Sequence, residues 1–416
     1  MPVLEFAKQR IGAFLLQIRH LKAAEFPYDH ALEALERIED RFKQQLEELQ
    51  GLDANNSTSV TNQLCSESVS QISRYLPLLG FLARATDVRN AFEVYAPLLR
   101  LSRAFLGTDV RLVLSSDWSL SPYTYSFGSY EGLEDFVMIG LPAPESSNAL
   151  LIPLAGHELG HSVWRHLNLG TSFFAFLQKS ILEGLTARWS EWQTIHPGTT
   201  LTSGIPDLFT MQALGRAFQW SMKQAEETFC DMFGLFLFGE SYLYAFAYLL
   251  APGGFGHSYF YPGLDRRVID LVHYSKQLGL TPPHNALNWF SADPAFPKPD
   301  KENGYLLELA DAAASSIVDA IVQNVKSITK SAAIKSFAIA EAERIATQFR
   351  NSVPASRANT LADILNAAWI VNNEDSTASS HPIPQREARE ILTELTLKTI
   401  EVQEIENRVG VNGAKI

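Results

Sequence analysis

The sequence predicts an α+β protein that is predominantly helical, in which a small antiparallel sheet precedes a two-helix core and helical regions flank both. Three observations carry this. Apolar residues recur at three- and four-residue spacing along most of the 416 residues. The period changes only between Val110 and Leu141, where short β-branched and aromatic runs are separated by Gly, Ser and Pro. The balance of 46% hydrophobic to 19% charged residues is that of a chain able to bury a core. These changes of pattern divide the chain into an N-terminal helical region (1–106), a central core (107–275) and a C-terminal helical region (276–416).

From Pro2 to Gln50 the pattern is helical, with Leu35, Ile38, Phe42, Leu46 and Leu49 on one face and charges on the other. Gly51 to Ser59 is a loop by composition. Further helices fit between Val60 and Leu106, with breaks expected near Pro77 and at Thr86-Asp87. The strands are Val110–Leu114, Tyr123–Phe127 and Phe136–Leu141. After Pro142 and Pro144 the helical period returns and runs to about Leu250, interrupted between His196 and Pro206. A Pro-rich stretch covers Thr281 to Pro299. The remainder is helical apart from a polar loop at Asn372–Pro384. The run Met232–Leu250 imitates a membrane span, but Gly239-Glu240 sits in its middle. A charge at a bilayer centre is costly, so two buried helices are expected there instead.

A net charge of −12 argues against a nucleic-acid binder, which needs a basic face. Two cysteines, Cys65 and Cys230, exclude a disulfide scaffold and a Cys-rich zinc module. The apolar stretch Ile11–Ile18 is short, contains Gln17 and lacks a small-residue cleavage site, which points to a cytoplasmic chain with no membrane span.

Chemistry concentrates in residues 151–168, LIPLAGHELGHSVWRHLN, which contain His157-Glu158-Leu159-Gly160-His161. On a helix, positions i and i+4 share a face, so both imidazoles can reach one ion. Glu158 stands beside that ion and can take a proton from water without occupying a coordination position. The other residues from Leu154 to Trp164 are uncharged, and Gly160, a poor helix former, implies close packing. The bland alternative is a pair of core histidines bonded to carbonyls. A catalytic zinc takes three protein ligands. His166 is off the required spacing for the third, and neither Glu183 nor Glu191 has a carboxylate partner in register. Glu227 and Asp231, at i and i+4 of a later helix, form an E-x-x-x-D. Glu227 is then the third ligand and Asp231 the carboxylate that orients a liganding His. The competing reading of Asp231 is a solvated residue; Cys230 could bind zinc as a thiolate, but with Glu227 supplying the ligand it reads as a small buried hydrophobe.

H-E-x-x-H followed by E-x-x-x-D resembles the gluzincin zinc metallopeptidases. The 65 residues between His161 and Glu227 are similar to the long-spacer branch that includes the M48-type peptidases. The resemblance spans roughly Asp109 to Leu271. It implies Zn2+ on His157, His161 and Glu227, Glu158 as general base, Asp231 behind His157, and a peptide or protein substrate. It also implies that a strand before the first motif binds substrate along its edge; Phe136–Leu141 occupies that place, with a core strand as the alternative. Where long-spacer members carry His-Pro-Pro and then Arg, this chain has Tyr261-Pro262-Gly263 and Arg266-Arg267. That leaves His257, Tyr259 and Tyr261 as candidate donors to the oxyanion. The expected activity is zinc-dependent peptide hydrolysis; the rival is a non-catalytic zinc scaffold or peptide-binding module.

Overall fold

A computed structural model describes residues 2–52, 58–85, 92–118, 122–127, 130–145, 148–251, 258–283, 286, 299–335, 337–358, 360–374 and 385–413. The protein is predominantly helical α+β. Contacts divide the chain into two compact units. One holds residues 1–103 and 107–147; the other holds 104–106 and 148–416. The strand region between Val110 and Leu141 therefore groups with the N-terminal helices.

In the first unit, α1 (Pro2–Lys22), α2 (Asp29–Gln50) and α3 (Thr58–Arg84) pack through their apolar faces. Ile11, Ile18, Leu35, Ile38 and Phe42 are among the fully buried side chains. The helix α3 runs through Pro77, where a break was expected. Pro77 and Ser73 lie on its exposed face, so the carbonyl that loses its i+4 partner is open to water. The second expected break, at Thr86-Asp87, lies outside the described residues. After α4 (Tyr95–Leu106) come β1 (Arg111–Asp117), β2 (Tyr123–Ser126) and β3 (Phe136–Pro142).

The sheet departs from expectation in one respect. Its order is β1-β3-β2, with β1–β3 parallel and β2–β3 antiparallel, so it is mixed. The strand β3 is central, and all seven of its residues are buried. Its backbone is already paired on both sides, so the substrate-edge role for Phe136–Leu141 is corrected to that of a core strand.

The second unit is built around two helices, α5 (Ala155–His166) and the 31-residue α8 (Leu208–Phe238). Between them lie α6 (Leu169–Ala187), α7 (Trp189–Ile195) and the two-residue strands β4 (Leu201–Thr202) and β5 (Ile205–Pro206). The membrane-like run is two buried helices. The first, α8, stops at Phe238, Gly239 adopts φ +60°, and α9 (Glu240–Leu250) begins. No helix among the described residues is long and apolar enough to cross a membrane. Then follow α10 (Leu264–Gln277), α11 (Lys301–Ser316), α12 (Val318–Ser331), α13 (Ile339–Arg350), α14 (Leu361–Asn372) and α15 (Gln385–Gly413). The central helix α8 packs against α5, α6, α11 and α12, which is why most of its C-terminal half is buried.

Candidate metal centre

The helices α5 and α8 run antiparallel at close range, and small residues make this possible. A Cβ added at Gly160 would lie 3.0 Å from the Cys230 Cα. One added at Gly156 would lie 3.1 Å from the Gly234 Cα. Two small residues a turn apart on each helix thus bring the backbones together. Upstream, the Asn148 side chain caps a 310 run, Ala149–Leu154, by accepting from Leu150 N at 3.1 Å; this run leads into α5. Asp207 caps α8 by accepting from Thr210 N at 2.9 Å.

The seam sets the histidines against the carboxylates of α8. His157 Nε2 is 3.3 Å from Glu227 Oε2, and His161 Nε2 is 3.5 Å from Glu227 Oε1. The outer nitrogens are held elsewhere: His157 Nδ1 is 3.0 Å from Asp231 Oδ1, and His161 Nδ1 is 2.9 Å from Glu226 Oε1. Glu227 is 7% exposed, and no described residue makes a hydrogen bond to its Oε2. A buried carboxylate oxygen without a donor is costly. One nitrogen of each histidine and the Cys230 sulfur also lie within 4.8 Å of one another, a cluster that could hold a metal ion. The Cys230 thiol is fully buried, and burial, followed by Glu227 and Glu226, pushes its pKa well above the ordinary thiol value.

Asp231 is 1% exposed, so the solvated alternative does not hold. Arg267 donates to both its oxygens, Nε to Oδ2 at 2.7 Å and Nη2 to Oδ1 at 2.8 Å. The Tyr242 hydroxyl donates to Oδ1 at 2.8 Å. Burial opposes ionisation of Asp231, but Arg267 and His157 outweigh it and hold the carboxyl far below its usual range. Burial likewise works against the His157 cation. The Asp231 and Glu227 carboxylates overcome it and raise the imidazole to about 10. Glu158 is buried, and burial pushes its carboxyl up.

The structure thus brings together His157, Glu158, His161, Glu227 and Asp231. His166 is exposed, and Glu183 and Glu191 are exposed and ion-paired to Lys179 and Arg188. Of the oxyanion candidates, His257 lies outside the described residues. The Tyr259 ring stacks on Trp220 at 4.3 Å, and its carbonyl accepts from Gln224 Nε2 at 3.4 Å. This clamps the following turn to α8. Ser258 Oγ accepts from the backbone N–H groups of Phe260 and Tyr261 at 3.2 and 3.3 Å. The negative charge of Glu227, followed by burial, pushes the Tyr261 hydroxyl up to about 12.

Glu226, Tyr242 and the contact of Arg267 with Asp231 were not anticipated. For Glu226 the signal was its place directly before the candidate ligand in Glu226-Glu227. For Arg267 it was the basic pair following the Tyr-Pro-Gly. Tyr242 had none, since its contact depends on the fold-back at Gly239. No family model, no curated protein and no solved structure matches the chain.

Proposed function

We propose that the protein is a zinc-dependent peptide hydrolase whose metal is held by His157, His161 and Glu227. The observation that carries this is the Glu227 carboxylate facing both Nε2 atoms with one oxygen lacking a donor. In the metal-free protein a proton on His157 holds this point; a bound cation would displace it, and with each Nδ1–H given to a carboxylate the two imidazoles would then turn Nε2 lone pairs toward the cation beside the Glu227 oxygens. Three electron-rich groups then converge on one point, which a cation reconciles. The carboxylates around this point outnumber the cations. Glu158, Glu226, Glu227 and Asp231 are four carboxylates, against which Arg267 and Lys223 supply two cations.

Zinc bound there supplies Lewis acidity toward the scissile carbonyl and lowers the pKa of water to about 7. The chain's own groups do the rest. Glu158 accepts a proton from the attacking water and returns it to the amine as the C–N bond breaks. Its raised pKa suits both halves of that exchange. Tyr261, on its clamped turn and 46% exposed, donates a hydrogen bond to the oxyanion. Asp231, fixed by Arg267 and Tyr242, keeps the His157 ring in one tautomer.

A second reading rests on Cys230. As a fourth protein ligand its thiolate would close the site and make it structural. Against this, Glu227 already faces both Nε2 atoms, and the Cys230 sulfur lies against the Gly160 position, 3.2 Å from a Cβ placed there. The test is elemental analysis of the purified protein with peptide-library cleavage. Glu158→Gln should retain zinc and lose cleavage, whereas Cys230→Ala should retain both. Zinc lost from Cys230→Ala alone, with no cleavage by the wild type, would establish the structural reading instead.

A further inference from the structure

The two histidines are each backed by a carboxylate, but the two supports are built differently. Asp231 is sealed by the Arg267 guanidinium, whose side chain is 11% exposed, and by a fully buried tyrosine. Glu226 is 6% exposed; its Oε1 lies 2.9 Å from His161 Nδ1 and its Oε2 lies 2.9 Å from Lys223 Nζ. The Lys223 side chain is 58% exposed. We propose that Glu226 is a positioning residue for His161, the counterpart of Asp231 at His157, and that it sets how tightly the centre retains its metal. This rests on the metal-centre reading above.

The reasoning follows from helix geometry. Adjacent residues of a helix point about 100° apart. From neighbouring positions on α8, Glu227 therefore faces the inner nitrogen of His161 while Glu226 reaches its outer one. Asp231, a turn beyond Glu227, does the same for His157. The run Glu226-Glu227-x-x-x-Asp231 thus carries one candidate ligand and the supports of the two histidines. Without Glu226, the His161 ring loses the acceptor that selects its tautomer and orientation. The usual cost of such a loss is about 10- to 100-fold in metal affinity. Lys223 steadies the far oxygen from solvent, where ion pairs contribute little.

The test is competition for Zn2+ against a chromophoric chelator, with thermal unfolding of the metal-free protein measured alongside. Glu226→Ala should bind Zn2+ about 10- to 100-fold more weakly with metal-free unfolding unchanged. Glu226→Gln, whose amide oxygen still accepts from Nδ1–H, should fall between Ala and wild type. Lys223→Met should stay within about threefold of wild type. The proposal is overturned if Glu226→Ala binds Zn2+ like wild type. It is also overturned if Gln and Ala lose affinity equally and unfold earlier together, since Glu226 would then only support the fold. A wild-type protein that takes up no Zn2+ would remove the metal-centre reading itself, before any variant is compared.

Discussion

Replacing Gly160 by Ala sets two effects of opposite sign against each other. In a helix interior Ala is favoured over Gly by about 1 kcal/mol. At Gly160 the new methyl would stand 3.0 Å from the Cys230 Cα and 3.2 Å from its sulfur. Carbon atoms rest at about 3.5–4.0 Å, so α5 and α8 would have to part by roughly 0.5–1 Å. The nearest atom is backbone and has no rotamer to swing away. Forcing a methyl group into such a seam costs about 1–3 kcal/mol. The cost therefore equals or exceeds the gain. Gly215 supplies the reference, being interior to α8 with nothing within 4 Å of its added Cβ. Gly215→Ala should show the full propensity gain of about 1 kcal/mol, which places the two variants about 1–3 kcal/mol apart.

The same displacement acts on the candidate site. His161 follows Gly160 directly, and its Nε2 approaches Glu227 at 3.5 Å. Parting the helices widens that approach, so Gly160→Ala should also weaken zinc retention. Urea unfolding of the chelator-treated protein measures the first effect and a zinc titration the second. If Gly160→Ala is as stabilising as Gly215→Ala, the helices are not in backbone contact and the account of the seam is wrong.

Tyr261→Phe should lower kcat by about 10²- to 10³-fold at unchanged zinc content, the cost of one oxyanion donor. Tyr259→Phe, whose ring serves as a clamp, should leave kcat near wild type; equal losses would refute this division of roles. Asp231→Ala strands the largely covered Arg267 guanidinium, so it should destabilise the metal-free protein by about 2–4 kcal/mol besides weakening zinc binding. Glu227→Ala should release zinc without that destabilisation, and the opposite pattern in urea melts would refute the assignment. In the first unit, burial alone would raise Glu39, but hydrogen bonds from Lys22, Lys43 and Arg19 hold it at about 2. A carboxyl depressed in the folded state adds stability that is present above its unfolded pKa, near 4.5, and is lost as pH falls toward 2. Its cations are partly exposed, so the contribution is about 1–2 kcal/mol. Wild type should therefore lose stability more steeply than Glu39→Gln below about pH 5, and parallel curves would contradict this.

What could be read in the sequence was whatever a single helix encodes. The i, i+4 pairs His157/His161 and Glu227/Asp231 follow from helical period alone, and Gly160 signalled close packing because nothing else excuses a glycine there. Partners were harder to read. No helical pattern singles out Glu226, because its role depends on where His161 lies, 65 residues away in the sequence. Tyr242 reaches Asp231 only because the chain reverses at Gly239.

The sheet shows the same limit and one signal that went unused. Short connections between strands favour antiparallel neighbours, but β1 and β2 never pair. The strand β3 inserts between them, parallel to one and antiparallel to the other. Phe136-Val-Met-Ile-Gly-Leu141 has no alternation, and a continuous apolar run belongs to a strand covered on both faces. A strand built to receive substrate along one edge would more naturally alternate, with polar residues on an open face. Its composition already argued for the centre of the sheet. If this chain binds an extended peptide by main-chain pairing, the acceptor must be a backbone other than β3.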